Sequence, residues 1–387
     1  MIDHAQLQDL LRQLISIDSV NPSLVPGARG EAAASTFLRD WLESQGIEAR
    51  LQEAAPGRPN VVAWIGPSHP PNEKPRAALA ILAHIDTVGA GDMPEPFTPR
   101  GRDTRLYGRG ALDIKSGVAA MCAAAVAARK ADKQFARPVL LAAVVDEECN
   151  SIGTETLLRE YTADAAIVLE PTDLKLVVAH KGYAWFEITT HGRAAHGSLP
   201  AEGRDAIRMM GRVLGLLDAV DKKLAQQPPH PRLGCGSLHA SLIRGGQELS
   251  SYPAECRLEL ERRLLPGETQ AQAEAELRAL LDGLQLRDAE FRATLRALGA
   301  RPAFEISPAA PVAAIAAEAI RETAGAVEHS GMAAWTDTAL LAAAGIPGVV
   351  FGPRGRGLHG AEEYVELETV SICAEVLGRL IHRYCHS

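Results

Sequence analysis

Acidic residues and a histidine stand at the ends of three apolar runs of the sequence. The runs are 80–88, which contains His84 and Asp86, 139–145, which precedes Asp146, Glu147 and Glu148, and 165–169, which precedes Glu170. Each run is typical of a buried strand, and the carboxyl ends of parallel strands form the binding edge of an open α/β sheet. We therefore expect these side chains to meet at one edge. By itself, His84-Ile85-Asp86 fits a hydrogen-bonded structural pair or a metal ligand with its orienting carboxylate.

Two further candidates lie near glycines. Asp113 stands within 108–117, directly before an alanine-rich helix predicted over 118–128. A carboxylate there also fits a residue that the helix dipole favours, so Asp113 has a structural alternative. His359 follows a short apolar strand predicted over 348–351.

The elements that must position these residues form two patterns. Residues 31–45 and 311–324 place apolar side chains at helical spacing, as expected of helices that cover a sheet. Between these helices, the sequence pattern predicts the order strand, helix, strand, strand, helix, strand, which is the ferredoxin-like order. We predict an α/β domain in two parts, 1–180 and 298–387, with a second domain, 181–297, inserted between them.

Composition excludes several classes of function. The 387 residues include 40 Lys and Arg against 48 Asp and Glu, a net charge of -8, and contain no dense basic block. Nucleic-acid and membrane-surface binding are therefore disfavoured. The absence of a signal-like or membrane-spanning apolar run predicts a soluble cytoplasmic protein. The six cysteines lack Cys-x-x-Cys spacing and are expected to be reduced thiols.

Five motifs occur in an order that we recognise and cover nearly the whole chain. They are His84 to Val88, Gly108 to Gly117, Asp146 to Glu148, Leu169 to Thr172, and His359 with Glu362-Glu363-Tyr364. Together they resemble the dinuclear-zinc family of aminoacylase, acetylornithine deacetylase, succinyl-diaminopimelate desuccinylase and glutamate carboxypeptidase. Residues 192–200 also resemble a family signature. The resemblance implies a zinc-peptidase-like α/β fold, a mixed sheet flanked by helices, with an inserted ferredoxin-like dimerisation domain.

The resemblance assigns metal ligands. It implies two zinc ions per chain, for which cobalt or manganese could substitute. His84 and Glu170 would bind one ion, Glu148 and His359 the other, and Asp113 would bridge the two. Two imidazoles and three carboxylates suit zinc and offset most of its charge. Such a centre leaves room for a bridging water whose pKa falls to about 7 on zinc.

Two acids beside these ligands receive other roles. Asp86 is expected to accept a hydrogen bond from the second ring nitrogen of His84 and so fix its tautomer. Glu147 is expected to be the general base that takes the proton of the attacking water. Neighbouring residues at a strand end diverge in direction, so Glu148 can hold metal while Glu147 faces the water.

The resemblance places two further functional residues in the inserted domain. His196 would stabilise the oxyanion from across a dimer interface, and an exposed loop histidine is the alternative. Arg263 resembles the arginine that binds the substrate carboxylate in a bidentate manner, with Arg262 as the alternative register. Ser250 departs from the family pattern, where asparagine often stands three residues before a proline.

The function implied is hydrolysis of the amide bond of an N-acyl-L-amino acid, or of an amino-acid conjugate with a free carboxylate, in a homodimer. Residues 335–338 resemble the carboxypeptidase and deacetylase branches, which disfavours the desuccinylase. A dipeptidase or carboxypeptidase that acts on short peptides through the same site is the enzymatic alternative. A non-catalytic binder of amino-acid conjugates is the remaining one. The acyl group and side chain depend on pocket shape and are not readable from sequence.

Overall fold

The computed structural model describes residues 1–68, 73–131 and 135–385. Its helices are α1 (His4–Ser16), α2 (Ala32–Ser44), α3 (Lys115–Ala131), α4 (Ile152–Glu160), α5 (Ala206–Ala225), α6 (Gln270–Arg287), α7 (Pro311–Ala324), α8 (Thr338–Ala343) and α9 (Leu367–Cys385). Across these three ranges, no helix is both long enough and apolar enough to pass through a bilayer.

The strands fall into several sheets. They are β1 (Ala49–Ala55), β2 (Arg58–Ile65), β3 (Arg76–Ala77), β4 (Leu79–His84), β5 (Arg100–Arg102), β6 (Arg105–Tyr107), β7 (Val139–Val144), β8 (Thr162–Ala163), β9 (Ala166–Leu169), β10 (Leu176–His180), β11 (Gly182–His191), β12 (Ser237–Gly245), β13 (Glu255–Leu264), β14 (Ala293–Arg301), β15 (Phe304–Glu305), β16 (His329–Met332), β17 (Gly348–Phe351), β18 (Gly355–Arg356) and β19 (Tyr364–Glu366).

The chain divides into two compact units. The first comprises Met1–Val178, Ile306–Ser330 and Thr336–Ser387, and the second comprises Ala179–Glu305 and Gly331–Trp335. The predicted insert, 181–297, lies inside the second unit. The unit continues past 297 because β14 pairs with β11 as far as Arg301, which lies opposite Tyr183.

A mixed sheet forms the centre of the first unit, in the order β1-β2-β7-β4-β9-β17-β10. Its central strands β7, β4, β9 and β17 are parallel. Every residue of β4 is buried, as expected of a central parallel strand covered on both faces. Helices α3 and α9 contact β4, while α4 contacts β7 and α8 contacts β9 and β17. The predicted mixed sheet flanked by helices is confirmed.

A small antiparallel sheet in the same unit, β18-β19-β6-β5, joins two distant parts of the chain. Tyr107 at the end of β6 pairs with Tyr364 at the start of β19. The loop after β6 therefore lies beside the loop before β19, although each strand has only two or three residues. Gly357 begins the second loop with a φ of 87°, and a Cβ there would meet the carbonyl oxygen of Glu362 at 1.8 Å.

The second unit is an antiparallel sheet in the order β12-β13-β11-β14 with two helices. Along β13 buried and more exposed residues alternate, so one face of the sheet packs against α5 and α6. The core of the unit includes Phe186, Leu258 and Leu277. Strands and helices follow one another in the predicted ferredoxin-like order.

Candidate metal centre

The carboxyl ends of three parallel strands bring the first candidates together. His84 is the last residue of β4, Glu170 follows β9, and Glu147 and Glu148 follow β7. Asp146 turns the chain after β7 with a φ of 66°. Because the strands run in the same direction, their ends lie along one edge of the sheet.

Asp113 lies between two imidazoles. Its Oδ1 is 3.1 Å from Nε2 of His84, and its Oδ2 is 3.4 Å from Nε2 of His359. The peptide bond between Asp113 and Ile114 is cis. One carboxylate thus presents one oxygen to each histidine.

Three glutamates complete the cluster. Oε2 of Glu148 lies 3.3 Å from Nε2 of His359, and Oε2 of Glu170 lies 3.9 Å from Nε2 of His84. Potential ligand atoms of His84, Asp113 and Glu148 lie within 4.8 Å of one another, as do those of His84, Glu147 and Glu170. The geometry thus allows either Glu147 or Glu148 to share an ion with His84.

Burial and neighbouring charges raise the pKa values of four groups in this cluster. Burial raises the pKa of Glu147 well above its ordinary value, and the charge of Glu170 adds to the shift. The pKa of Glu170 is also well raised by burial. Hydrogen bonds to Asp113 and Glu148 raise the pKa of His359 to about 10. Burial opposes protonation of His84, but the carboxylates of Asp113 and Asp86 outweigh it, so its pKa is also raised.

These donors fit a divalent cation. Two donors on a tetrahedral zinc ion with bonds of about 2 Å lie about 3.3 Å apart, close to the separations around Asp113. Within the described residues, the buried Oε1 of Glu148 has no hydrogen-bond partner. Several buried carboxylates in one place also require a compensating positive charge. The imidazoles and carboxylates present could therefore hold one or two metal ions.

Asp86 differs from its predicted arrangement. Nδ1 of His84 lies 3.0 Å from the backbone carbonyl oxygen of Asp86 and 3.6 Å from its carboxylate, so the carbonyl accepts the hydrogen bond. The carboxylate instead accepts from Nδ2 of Asn21 at 2.7 Å and from the backbone N–H groups of Glu147 and Glu148, both at 3.2 Å. Asp86 thus holds the turn after β7 through its side chain and His84 through its backbone.

His196 lies in the second unit on an exposed segment. The backbone N–H of Ser198 donates to its Nδ1 at 3.2 Å, and Oγ of Ser198 lies 2.8 Å from the same nitrogen. With Nδ1 engaged as an acceptor, neutral His196 carries its proton on Nε2. Within the described part of the chain, this Nε2–H makes no hydrogen bond.

The two arginines of β13 differ in burial. Arg262 is 4 % exposed and donates to Glu268 at 2.9 Å and to the backbone carbonyl of Arg263 at 2.6 Å. Arg263 belongs to the other, more open face, where it pairs with Glu261 at 2.7 Å and lies over the ring of Tyr183. Arg263 is thus the more accessible of the two.

Comparison with known proteins identifies the family of this chain. Residues 80–383 match the family described as peptidase family M20/M25/M40. The chain belongs to this family. The family match and the acetylornithine deacetylase relative described next confirm the predicted resemblance.

Individual relatives agree with this assignment. An acetylornithine deacetylase from Myxococcus xanthus is 28% identical over 397 residues, which cover 98% of this chain and 97% of the relative. A tripeptidase from Staphylococcus aureus has a TM-score of 0.80 at 20% identity and full coverage of both chains. A dinuclear metal-binding M20 peptidase from Bacillus subtilis has a TM-score of 0.72 at 16% identity, with 99% and 98% coverage. The two solved structures establish the shared fold.

Membership of the M20/M25/M40 family makes the chain a metal-dependent hydrolase. The predicted enzyme class is confirmed, and the non-catalytic alternative is disfavoured. The carboxylates and imidazoles around Asp113 form a candidate metal site within the described residues.

Four further residues of this chain lie in or beside the site, without a role predicted from its sequence. Asn21 bonds to Asp86, and Arg109 and Glu363 bond to each other beside Asp113. Asp337 is buried, and burial raises the pKa of its carboxyl to about 6 against the hydrogen bond from Thr154. Arg109, Asp337 and Glu363 belong to the sequence motifs at 108–117, 335–338 and 359–364. Their roles could not be predicted from these motifs, because they depend on contacts with residues distant in the sequence.

Proposed function

We propose that the chain is a dinuclear zinc amidohydrolase that cleaves the amide bond of an N-acyl-L-amino acid. The observation that carries the proposal is the position of Asp113, which presents one carboxylate oxygen to His84 and the other to His359. A carboxylate that faces two imidazoles in this way suits a bridge between two ions. Glu170 beside His84 and Glu148 beside His359 supply one further ligand for each ion.

Two zinc ions are the best match to these ligands, because neutral imidazole and carboxylate are common zinc ligands. When bound, the ions would polarise the scissile carbonyl group and lower the pKa of the attacking water. Cobalt or manganese should occupy the same ligands. The remaining steps belong to side chains of the chain itself.

Glu147 is the general base of the proposal. Its carboxylate takes a proton from the attacking water and later gives that proton to the nitrogen of the leaving amine. Burial raises the pKa of Glu147 above its ordinary value, which makes its carboxylate a stronger base. Glu148 contacts His359 and is assigned to metal instead.

Two residues of the second unit would bind the substrate. The guanidinium of Arg263, on the open face of β13, would hold the free carboxylate of the amino acid. Nε2–H of His196 would donate to the carbonyl oxygen as negative charge develops there. We propose that the protein is a homodimer in which this histidine serves the site of the other subunit.

The acetylornithine deacetylase relative favours an N-acyl amino acid as the substrate. A dipeptide or a peptide with a free C-terminal carboxylate would present the same amide and carboxylate. A panel of N-acetyl, N-succinyl and N-carbamoyl amino acids against dipeptides separates these cases. If every dipeptide were hydrolysed faster than every acyl amino acid, the protein would be a peptidase instead.

Metal removal tests the requirement for zinc. Dialysis against a chelator should remove about two zinc ions per chain and abolish hydrolysis, because the water then loses its activation. Re-addition of zinc, or of cobalt or manganese, should restore activity in proportion to the metal bound. Full activity in metal-free protein would contradict the proposal.

Matched substitutions test the roles of the adjacent glutamates. Glu147→Gln should lower kcat by about 10²- to 10⁴-fold without loss of metal, because it removes only the proton acceptor. Glu148→Gln should lose metal as well as activity. Metal analysis and kcat on the same preparations distinguish the two, and metal loss in Glu147→Gln would instead make Glu147 a ligand.

A further inference from the structure

The carboxylate of Glu363 accepts four hydrogen bonds, although Glu363 has no part in the proposed metal binding, proton transfer or substrate binding. Its Oε1 accepts from the backbone N–H groups of Leu112 at 2.8 Å and Asp113 at 3.1 Å. Its Oε2 accepts from the backbone N–H of Gly110 at 3.1 Å and from Nη1 of Arg109 at 2.7 Å. Glu363 therefore fixes the backbone of the loop that ends at Asp113.

Arg109 extends the same network to the other candidate ligand loop. Its Nη2 donates to the backbone carbonyl of Gly360 at 2.9 Å, and Gly360 directly follows His359. The side chains of Arg109 and Glu363 are 2 % and 1 % exposed. We call these two residues the Glu363 clamp, because they tie the Asp113 loop to the His359 loop.

The clamp supports the turn that bears His359, which is also closed by the hydrogen bond from the Gly360 N–H to the carbonyl oxygen of Gly357 at 2.9 Å. The side chain of His359 is 53 % exposed, and its backbone has a φ of 58°, outside any helix or strand. Asp113, by contrast, is held directly by Glu363 through its N–H. The distance between the two ligands thus depends on the clamp that joins their loops.

We propose that Glu363, together with Arg109, is a positioning residue that sets the separation of Asp113 and His359 and thereby the metal affinity of the centre. The inference rests on the proposed function, in which both residues bind metal. Residues that orient metal ligands commonly change metal affinity or activity by about 10- to 100-fold when replaced. Glu363 acts through Asp113 and His359 and contacts neither substrate nor the reacting atoms.

The chemistry of substitution makes the proposal testable. Glutamine at position 363 has nearly the same shape, but one of its two terminal groups is a donor. Whichever way the amide turns, two of the four donors around it lose their acceptor. Glu362 is the matched control because it is the neighbouring residue, is exposed, and undergoes the same Glu→Gln change.

The experiment measures zinc affinity by competition with a chromophoric chelator, the absorption spectrum of the cobalt-substituted protein, and kcat and KM. Glu363→Gln should bind zinc about 10- to 100-fold more weakly, with an altered cobalt spectrum and a loss in kcat larger than the change in KM. Glu362→Gln should match wild type. Circular dichroism of the metal-free proteins reports whether each variant is folded.

Arg109→Lys provides the second variant, in case Glu363→Gln does not fold. Lysine has a single terminal nitrogen, so it cannot occupy both positions from which Nη1 and Nη2 of Arg109 bind Glu363 and Gly360, and zinc affinity should again fall. The inference would be overturned if folded Glu363→Gln had the zinc affinity and the cobalt spectrum of wild type. If Glu363→Gln does not fold, the same result in folded Arg109→Lys would overturn it. The proposed function would stand in both cases. Wild-type protein that binds no metal would overturn the proposed function and the inference with it.

Discussion

The carboxylates near His84 have different neighbours, and these neighbours separate their roles. Asp86 accepts from Asn21 and from two backbone N–H groups, so its oxygens are committed to holding the turn after β7. Asp113 is shared between two imidazoles, whereas Glu148 keeps one buried oxygen without a hydrogen bond in the described structure. The hydrogen-bond partners of each carboxylate thus distinguish a positioning residue, Asp86, from candidate metal ligands such as Asp113 and Glu148.

A buried histidine in the second unit makes stability depend on pH. His180 donates from Nδ1 to the carbonyl oxygen of Lys181 at 3.0 Å, and its ring packs near Phe304 and Trp335. Burial lowers its pKa to about 4, whereas histidine in an unfolded chain has a pKa of about 6.5. Between these values only the unfolded chain binds the proton, so stability should fall from pH 6.5 towards 4, by up to about 3 kcal/mol.

His180→Gln tests this prediction because glutamine keeps an N–H donor but does not titrate. Melting temperatures between pH 7.5 and 4.5 should fall less steeply for this variant than for wild type. His4→Gln is the control, since His4 is exposed at the start of α1 and this variant should keep the wild-type pH dependence. The same slope in His180→Gln as in wild type would contradict the assigned cause.

Elements with strong local signals were predictable from sequence, whereas contacts between distant segments were not. α7 and β17 have the predicted bounds, because proline begins the helix, Gly325 ends it with a φ of 80°, and the strand is a continuous apolar run. The clamp residues Arg109 and Glu363 are 254 positions apart and lie beside strands of three residues. Strands this short carry almost no periodic signal, so the sequence supplied the ligand types but not the network that spaces them.

The turn that follows β7 is anchored to two other elements by an ion cluster. Arg58 at the start of β2 hydrogen-bonds to Glu31, which precedes α2, and pairs with Asp146 at 2.9 Å. It also donates to Asn21 at 3.0 Å, the residue that holds Asp86. Both acids are fully buried. The cluster therefore joins α2, β2 and the turn that bears Glu147.

Arg58→Met should destabilise the protein by about 3–5 kcal/mol, because it leaves Glu31 and Asp146 as buried carboxylates without their partner. Adding Glu31→Gln should recover part of the loss, since it removes one uncompensated charge. Thermal unfolding of wild type, the single variant and the double variant measures both effects. A single variant as stable as wild type would show that the cluster contributes little, and Arg39→Met, at an exposed pair with Asp40, is the control.

At the scale of the whole molecule, β12 forms an open edge of the sheet in the second unit. Leu242 and Ile243 on this strand are 49 % and 53 % exposed. A nine-residue edge strand with exposed apolar side chains is suited to pairing with another chain. Two copies of this edge could pair about a two-fold axis, which supports the homodimer that stays a prediction here. The alternation of side chains along one strand does not show whether its edge is paired with a second copy, so such a pairing could not be predicted from β12 alone.

Subunit complementation tests both the dimer and the proposed origin of His196. Glu147→Gln and His196→Ala chains, co-expressed with different tags, should each be nearly inactive alone. If His196 serves the other subunit, their purified hybrid has one intact site of two and should regain about half of wild-type kcat. If His196 serves its own chain, each site of the hybrid retains one defect and activity stays at the level of the parents. A hybrid of wild-type and Glu147→Gln chains is the control, because it should be half active whichever subunit His196 serves. Failure to isolate any hybrid would contradict the homodimer.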